Sequence, residues 1–476
     1  MTQPADAFAA DPRAHPWFFC GIGGSGMLPL ALILNGLGAR IAGSDRSRDQ
    51  GRMAEKFAWL ESLGATLHPQ DGSGIVSPDQ ILVASAAIED TVPEIVAARA
   101  LGNPRLSRAD LLAALFNRAA RPIAVAGTSG KSTVTGMIGW ILTEAGRDPT
   151  IMNGAVMKNF VAPDAPFASA RIGKGGDFVA EVDESDGSIA LYRPAVGVLG
   201  NVSLDHKSLD ELRVLFGDFL GAAGAVAINA DDAESMALAP RAARILPFGL
   251  GPDALIAADP VTIRQVPTGL TARIIDRRDS TIHPLTLQVP GRHNLMNALA
   301  ALAAADLAGV PPARAIAALG HFTGLARRFD IVGTSPGGIT VIDDFGHNPE
   351  KVAATLATLH AHPGRVIALF QPHGYGPLRQ MGAELAQVLA TRLDADDRVI
   401  LTDPVYFGGT VDRSIGSDRI VALINAGGGH ARHVPARADA ADAIVAIARP
   451  GDRVVVMGAR DDTLSHFAAD LLRRVD

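Results

Sequence analysis

Cysteine is almost missing from this chain. Cys20 is the single one in 476 residues, so no internal disulfide framework exists and the composition fits a reducing compartment. Aromatic residues make up only 5%, which argues against stacking platforms for nucleic-acid bases. An excess of positive charge is also lacking. With 43 Lys+Arg against 50 Asp+Glu the formal net charge is −7, the wrong sign for a chain whose main partner is nucleic acid. Long apolar runs are absent: GMLPLALILNGLG, residues 26–38, is too short for a bilayer. The opening MTQPADAFAADPRAHP does not have the basic and then apolar order of a signal peptide. No internal repeat, coiled-coil heptad or low-complexity tract occurs. What remains is a cytoplasmic enzyme without membrane insertion. Hydrophobic residues at 48% and charged residues at 20% suffice for large cores, and the length suggests about two to four domains.

Residues 123–133, IAVAGTSGKST, organise the rest. Ile123 to Ala126 form an apolar run expected to be a buried strand, and VTGMIGWILTEAG continues with helical spacing. Between them lie Gly127, Thr128, Ser129, Gly130, Lys131, Ser132 and Thr133. A strand, a glycine turn with Lys and a hydroxyl, then a helix is the arrangement that holds nucleotide phosphates. Backbone N–H groups and the helix N-terminus face the anion, Lys131 adds a point charge, and Ser132 can ligate Mg²⁺. Val125 stands where the longer form of this motif has its first glycine, leaving GxxGKS.

A second glycine turn lies near the N-terminus, in WFFCGIGGSGMLPLALILNGLGARIAGSD. Gly21, Gly23 and Gly26 make a GxGxxG, with Gly24 and Ser25 inside it, and Asp45 ends the next strand, where a carboxylate can meet a ribose hydroxyl. The full strand–turn–helix context supports a nucleotide or dinucleotide diphosphate at the helix N-terminus; the lesser alternatives are glycines that only permit tight packing, or the turn of a dinucleotide-dependent oxidoreductase. That last reading leaves Lys131 and Ser132 without a role.

Further on, DFVAEVDESDGS is a strand running into Glu181, Asp183, Glu184 and Asp186, positions from which carboxylates face a metal or its waters. Asp205 and His206 follow another strand, and His206 is a candidate metal ligand. Arg292, His293, Asn294 and Asn297 open a helix. The two asparagines sit one turn apart and could face one ligand or form a capping cluster. Arg327 and Arg328 read best as a solvated basic pair. Asp343 and Asp344 end a strand, and Pro349 starts a helix. Strands and helices alternate throughout, which predicts an α/β fold with functional groups at the carboxyl ends of the strands.

Taken in order, GIGGSGM, AVAGTSGKST, EVDESDGS, NVSLDH, GRHNLMNALAA, GLARRFD, DDFGHNPEKV and FQPH make the chain resemble the Mur ligase family of ATP-dependent amide-bond-forming enzymes over nearly its whole length. The resemblance implies three domains: a Rossmann-like UDP-binding domain over residues 1–118, a central P-loop ATPase domain over 119–322, and a C-terminal Rossmann-like α/β domain over 323–476. It implies UDP-N-acetylmuramate and an amino acid, L-alanine first, as substrates, with a peptide or another amine as the alternative acceptor. ATP and Mg²⁺ are the implied cofactors, and the implied state is a monomer or homodimer. By matching motifs, Lys131 would hold the β/γ-phosphates, Ser132 and Glu181 would bind Mg²⁺, and His206 would bind a second Mg²⁺. His293 and Asn294 would meet adenine, and Arg328, Asp343, Asp344 and His347 would meet ATP. Gly21, Gly23, Gly24, Ser25, Gly26, Asp45 and Ser85 would meet the UDP moiety. Departures from the family pattern stand at Ser129, Ser132, Gly374 and Pro377. No Lys occurs between Lys207 and Lys351, so the modified lysine that other branches use is absent.

Overall fold

The computed structural model describes residues 4–85, 88–203, 207–405 and 412–475. Three sheets carry the fold, each layered with helices, as the α/β pattern requires. Two compact units emerge: one from residues 1–263, 271–287 and 295–323, the other from residues 264–270, 288–294 and 324–476. Among the described residues no helix is long and apolar enough to cross a membrane.

The first sheet is parallel. Its central strand Pro16–Cys20 lies between Arg40–Ser44 and Ile81–Ala84, with Thr66–His68 and Arg105–Ser107 at the edges. Helices cover both faces, so the strand reads PWFFC with no polar alternation. Trp17 and Phe19 enter one core, and Phe18 and Cys20 enter the opposite one with Leu82, Ala84 and Ile95. Each such aromatic side chain, fully buried, contributes about 2–3 kcal/mol. Burial also pushes the Cys20 thiol up to about 12, so the lone cysteine is core rather than nucleophile.

In the second sheet Arg121–Ala126 is central, parallel to Val196–Leu199 on one side and Asp177–Glu181 on the other. Ala225–Asn229 and Ile245–Gly249 extend one wing, and an antiparallel addition pairs Ile256 with Asp276. Asp177, 1% exposed, anchors the amino end of its strand by accepting bidentate pairs from Arg121 and Arg147. In both sheets the chain leaves the central strand toward one neighbour and returns on its other side. That makes the carboxyl end of each central strand a topological switch point, where open α/β sheets form their binding crevice. Both glycine turns sit there.

The other unit holds a six-stranded sheet in which Asp330–Thr334 runs antiparallel to Thr340–Asp344 and the remaining strands are parallel.

Candidate active site

The turn after Arg121–Ala126 requires glycine twice. Gly127 has φ +132, and a Cβ there would lie 3.2 Å from the Asn201 backbone. Gly130 has φ +84, and a Cβ there would come within 2.5 Å of Asn297 Oδ1. The 14-residue helix Lys131–Glu144 starts immediately after, its first N–H groups unpaired within the helix and available to an anion. Asn201 staples the turn. Its Oδ1 accepts from Thr128 Oγ1 at 2.6 Å and from the Ser129 N–H at 2.9 Å, while its Nδ2 donates to Ser129 O at 3.1 Å. Ser203 adds a contact to Thr128 Oγ1 at 2.8 Å.

Two pairs of functional side chains meet at the head of this helix. Lys131 Nζ donates to Gly127 O at 2.7 Å and to both oxygens of Glu184, at 3.1 and 2.8 Å. Ser132 Oγ donates to Glu181 Oε2 at 2.7 Å. The parallel register sets Val125 opposite Glu181, so the carboxylate emerges one strand over from the turn. Its other oxygen lies against Gly154, where a Cβ would be 2.3 Å from Oε1. The fully buried Asn153 fixes the same corner by donating to Ser132 O at 2.8 Å. A hydroxyl and a carboxylate side by side are hard oxygen donors, the chemistry Mg²⁺ takes, so this corner fits that ion. Thr133 follows in the first helical turn. His206, expected to bind a second Mg²⁺, lies outside the described residues.

Beyond Glu181 the acidic loop is held tightly. Burial pushes the Asp183 carboxyl up, but the Ser185 N–H and hydroxyl, with Lys131 and Arg108 nearby, outweigh it and hold the group below its ordinary range. Asp186 accepts from the Ser188 N–H at 2.9 Å and faces Arg108 Nη2 at 3.5 Å.

At the first turn Gly21 has φ +78, and Gly24 and Ser25 are exposed at its lip. Asp45 is bonded twice to backbone: Oδ2 accepts from Gly23 N at 2.9 Å and Oδ1 from Ser47 N at 2.8 Å. It therefore braces the turn and caps the short helix Arg46–Asp49. Lys56 Nζ reaches Gly23 O at 3.3 Å. Gly26 lies under Arg108, whose Cδ would be 3.0 Å from a Cβ. The register of Pro16–Cys20 with Ile81–Ala84 brings half-buried Ser85 to the same edge.

In the other unit, Asp344 accepts from the N–H groups of Phe329 and Gly346 and from Thr355 Oγ1. Burial pushes Asp343 up to about 6, against Arg327 and the Ser465 hydroxyl, which pull it down. Arg327 is not half of a solvated pair. It is 7% exposed at φ +60 and donates to Gly458 O at 2.6 Å, with Nε 3.5 Å from Asp343. Arg328 stacks on Phe345, its guanidinium carbon 4.2 Å from the ring centroid. The solvated reading fails because the left-handed backbone at Arg327 turns one arginine inward and the aromatic ring captures the other. His347 packs edge-on between Phe345 and His373, and burial, helped by Lys351, pushes it down to about 3, so it is neutral. Burial also lowers His293, which approaches Thr358 Oγ1 at 3.5 Å. Asn294 is buried and its amide nitrogen donates to Pro290 O at 2.7 Å.

Comparison with known proteins decides the family. The model described as the Mur ligase family catalytic domain matches residues 18–120, the Mur ligase middle domain matches 125–305, and the Mur ligase glutamate ligase domain matches 327–460. The UDP-N-acetylmuramate–L-alanine ligase of Paenarthrobacter aurescens is 38% identical over 480 residues, covering 97% of each chain. This chain belongs to the Mur ligase family. A second relative of this Mur ligase, the UDP-N-acetylmuramate–L-alanine ligase of Streptomyces avermitilis, is 36% identical with 94% of each chain covered. Among solved structures, the UDP-N-acetylmuramate-alanine ligase of Thermotoga maritima superposes with a TM-score of 0.80 at 25% identity, covering 97% of this chain and 99% of that one. A murein peptide ligase from Psychrobacter arcticus shares the fold, with a TM-score of 0.70 at 24% identity and coverage of 97% and 98%.

The sequence reading missed Asn201, Asn153 and Arg108. The first two were legible as polar residues at the carboxyl ends of buried strands, VGVLGN and TIMN. Arg108 carried no local signal.

Proposed function

We propose that this Mur ligase joins L-alanine to the lactyl carboxylate of UDP-N-acetylmuramate at the expense of ATP, in peptidoglycan precursor synthesis. The observation that carries the reading is the Ser132–Glu181 contact of 2.7 Å beside Lys131, in the same compact unit as a second glycine turn. A carboxylate is a poor electrophile. Transfer of the ATP γ-phosphoryl group to its oxygen gives an acyl phosphate and ADP. The amine then adds to that carbonyl, the amine proton passes to solvent, the C–O bond to phosphate breaks, and phosphate leaves.

The protein's part is positioning and charge neutralisation. The turn of residues 127–130 and the head of the helix Lys131–Glu144 present N–H groups to the triphosphate. Lys131 exchanges Glu184 for phosphate oxygens. Ser132 and Glu181 are the candidate Mg²⁺ ligands, and His206 is by motif the candidate ligand of a second Mg²⁺. When bound there, Mg²⁺ supplies positive charge against the phosphates. The first turn, braced by Asp45 and exposing Gly24 and Ser25, receives the UDP group. Arg328, Asp343, Asp344, His347, His293 and Asn294 are proposed to serve ATP by motif match. The proposed domain boundaries fall at 118/119 and 322/323.

Incubation of the pure protein with UDP-N-acetylmuramate, ATP, Mg²⁺ and L-alanine should release phosphate and yield a product heavier by one alanine residue. Absence of phosphate release with every amino acid and short peptide would overturn the reading. The acceptor panel matters because Gly374, at φ +146, caps the helix Tyr375–Arg392 and Pro377 lies in its first turn, both at positions where the chain departs from the family pattern.

A further inference from the structure

The acidic loop of residues 183–186 is gripped from two directions. On one side Glu184, 4% exposed, holds Lys131 of the P-loop at 2.8 Å. On the other, Asp186 faces Arg108 Nη2 at 3.5 Å, and the same arginine lies across Gly26 of the first glycine turn, with Nη1 3.4 Å from a Cβ placed there. Arg108 is the first residue of the helix Arg108–Asn117, where a cation opposes the helix dipole, so local structure does not call for it. That helix is fastened at its far end to the segment just beyond the loop. Asn117 Nδ2 donates to Leu191 O at 2.9 Å, its Oδ1 accepts from Arg193 N at 2.8 Å, and Phe116 packs edge-on against Tyr192. The loop, the helix and the two glycine turns therefore form one connected set of contacts within one compact unit.

We propose that Arg108 and Asp186 couple the two nucleotide sites, so that the sugar nucleotide and Mg²⁺·ATP each strengthen binding of the other. An anion at the first turn draws Arg108 from Asp186 and leaves the loop's carboxylates under-compensated. A magnesium nucleotide at the second turn then brings the divalent charge that compensates them. Coupling of this kind is reciprocal. Arg108 is a positioning residue here, and the inference rests on the reading of two nucleotide sites.

Calorimetric titration of the full-length protein with a non-hydrolysable ATP analogue and Mg²⁺, with and without saturating UDP-N-acetylmuramate, measures the coupling. The wild type should bind the analogue about fivefold or more tightly when the sugar nucleotide is present. Asp186→Asn and Arg108→Gln should each bring that ratio close to one, the double variant should be no worse than either single one, and Arg108→Lys should retain part of it. Asp186 is 32% exposed, so its Asn variant keeps the test valid even if Arg108→Gln folds poorly. Wild-type coupling of one, or wild-type coupling in Asp186→Asn, overturns the proposal alone. Failure of the wild type to bind UDP-N-acetylmuramate overturns the functional reading and the coupling with it.

Discussion

The glycine turns at residues 21–26 and 127–130 both close a central strand that runs parallel to its two neighbours and both open a helix, yet different side chains brace them. At the first, a carboxylate, Asp45, takes the Gly23 N–H, and Lys56 bonds the Gly23 carbonyl. At the second, an amide, Asn201, takes the Ser129 N–H, and a lysine inside the motif bonds Glu184. The first turn is thus a shaped backbone cradle suited to a diphosphate that is held and not transformed. The second carries a lysine within the motif and a hydroxyl–carboxylate pair, which phosphoryl transfer needs and binding alone does not. Glycine turns alike in geometry are told apart by the side chains around them.

Substitutions can break or sharpen this contrast. Lys131→Met should have the largest effect, lowering the rate of acceptor-dependent phosphate release about a thousandfold while UDP-N-acetylmuramate binding persists. Glu181→Gln should cost about a hundredfold in rate and raise the Mg²⁺ concentration needed for half-maximal activity, read from a Mg²⁺ titration. Asp45→Ala should raise the KM for the sugar nucleotide about tenfold and leave the KM for ATP near the wild-type value. Equal effects on the two KM values would erase the distinction between the turns.

Gly130→Ala and Gly21→Ala share a left-handed φ but differ in space. The first places a Cβ 2.5 Å from Asn297 Oδ1, and the second meets nothing within 4 Å. Thermal unfolding should show Gly21→Ala costing about 1 kcal/mol and Gly130→Ala about 2–3 kcal/mol. The smallest effect is on pH dependence. Asp343, raised from 3.8 to about 6, contributes stability that is complete below pH 3.8 and is lost as pH rises through about 6. His347, lowered from 6.5 to about 3, contributes stability that is complete above pH 6.5 and is lost as pH falls toward 3. The two slopes oppose one another between pH 3.8 and about 6. Asp343→Asn removes the first, so its melting temperature should climb more steeply with pH across that window than the wild type's.

Much of the site was legible because its signals are local. A buried strand, a glycine turn and an apolar helix are contiguous in IAVAGTSGKSTVTGMIGWIL, and Glu181 shares a run with the strand it ends. Arg327 and Arg328 were misread because their environment is assembled from afar: Gly458 lies 131 residues from Arg327. Asn201, 72 residues from Ser129, was passed over for the same reason.

The sequence alone determined the alternation of strands and helices, the two glycine turns and the identity of the charged groups beside them. These follow from hydrophobic period and backbone freedom, which neighbouring residues fix. Tertiary structure decided which charge meets which: Lys131 with Glu184, Ser132 with Glu181, and Arg108 lying between Gly26 and Asp186. Those pairings depend on strand order and on the placement of one helix. Electrostatic contact is a matter of a few ångströms in space, whatever the separation along the chain.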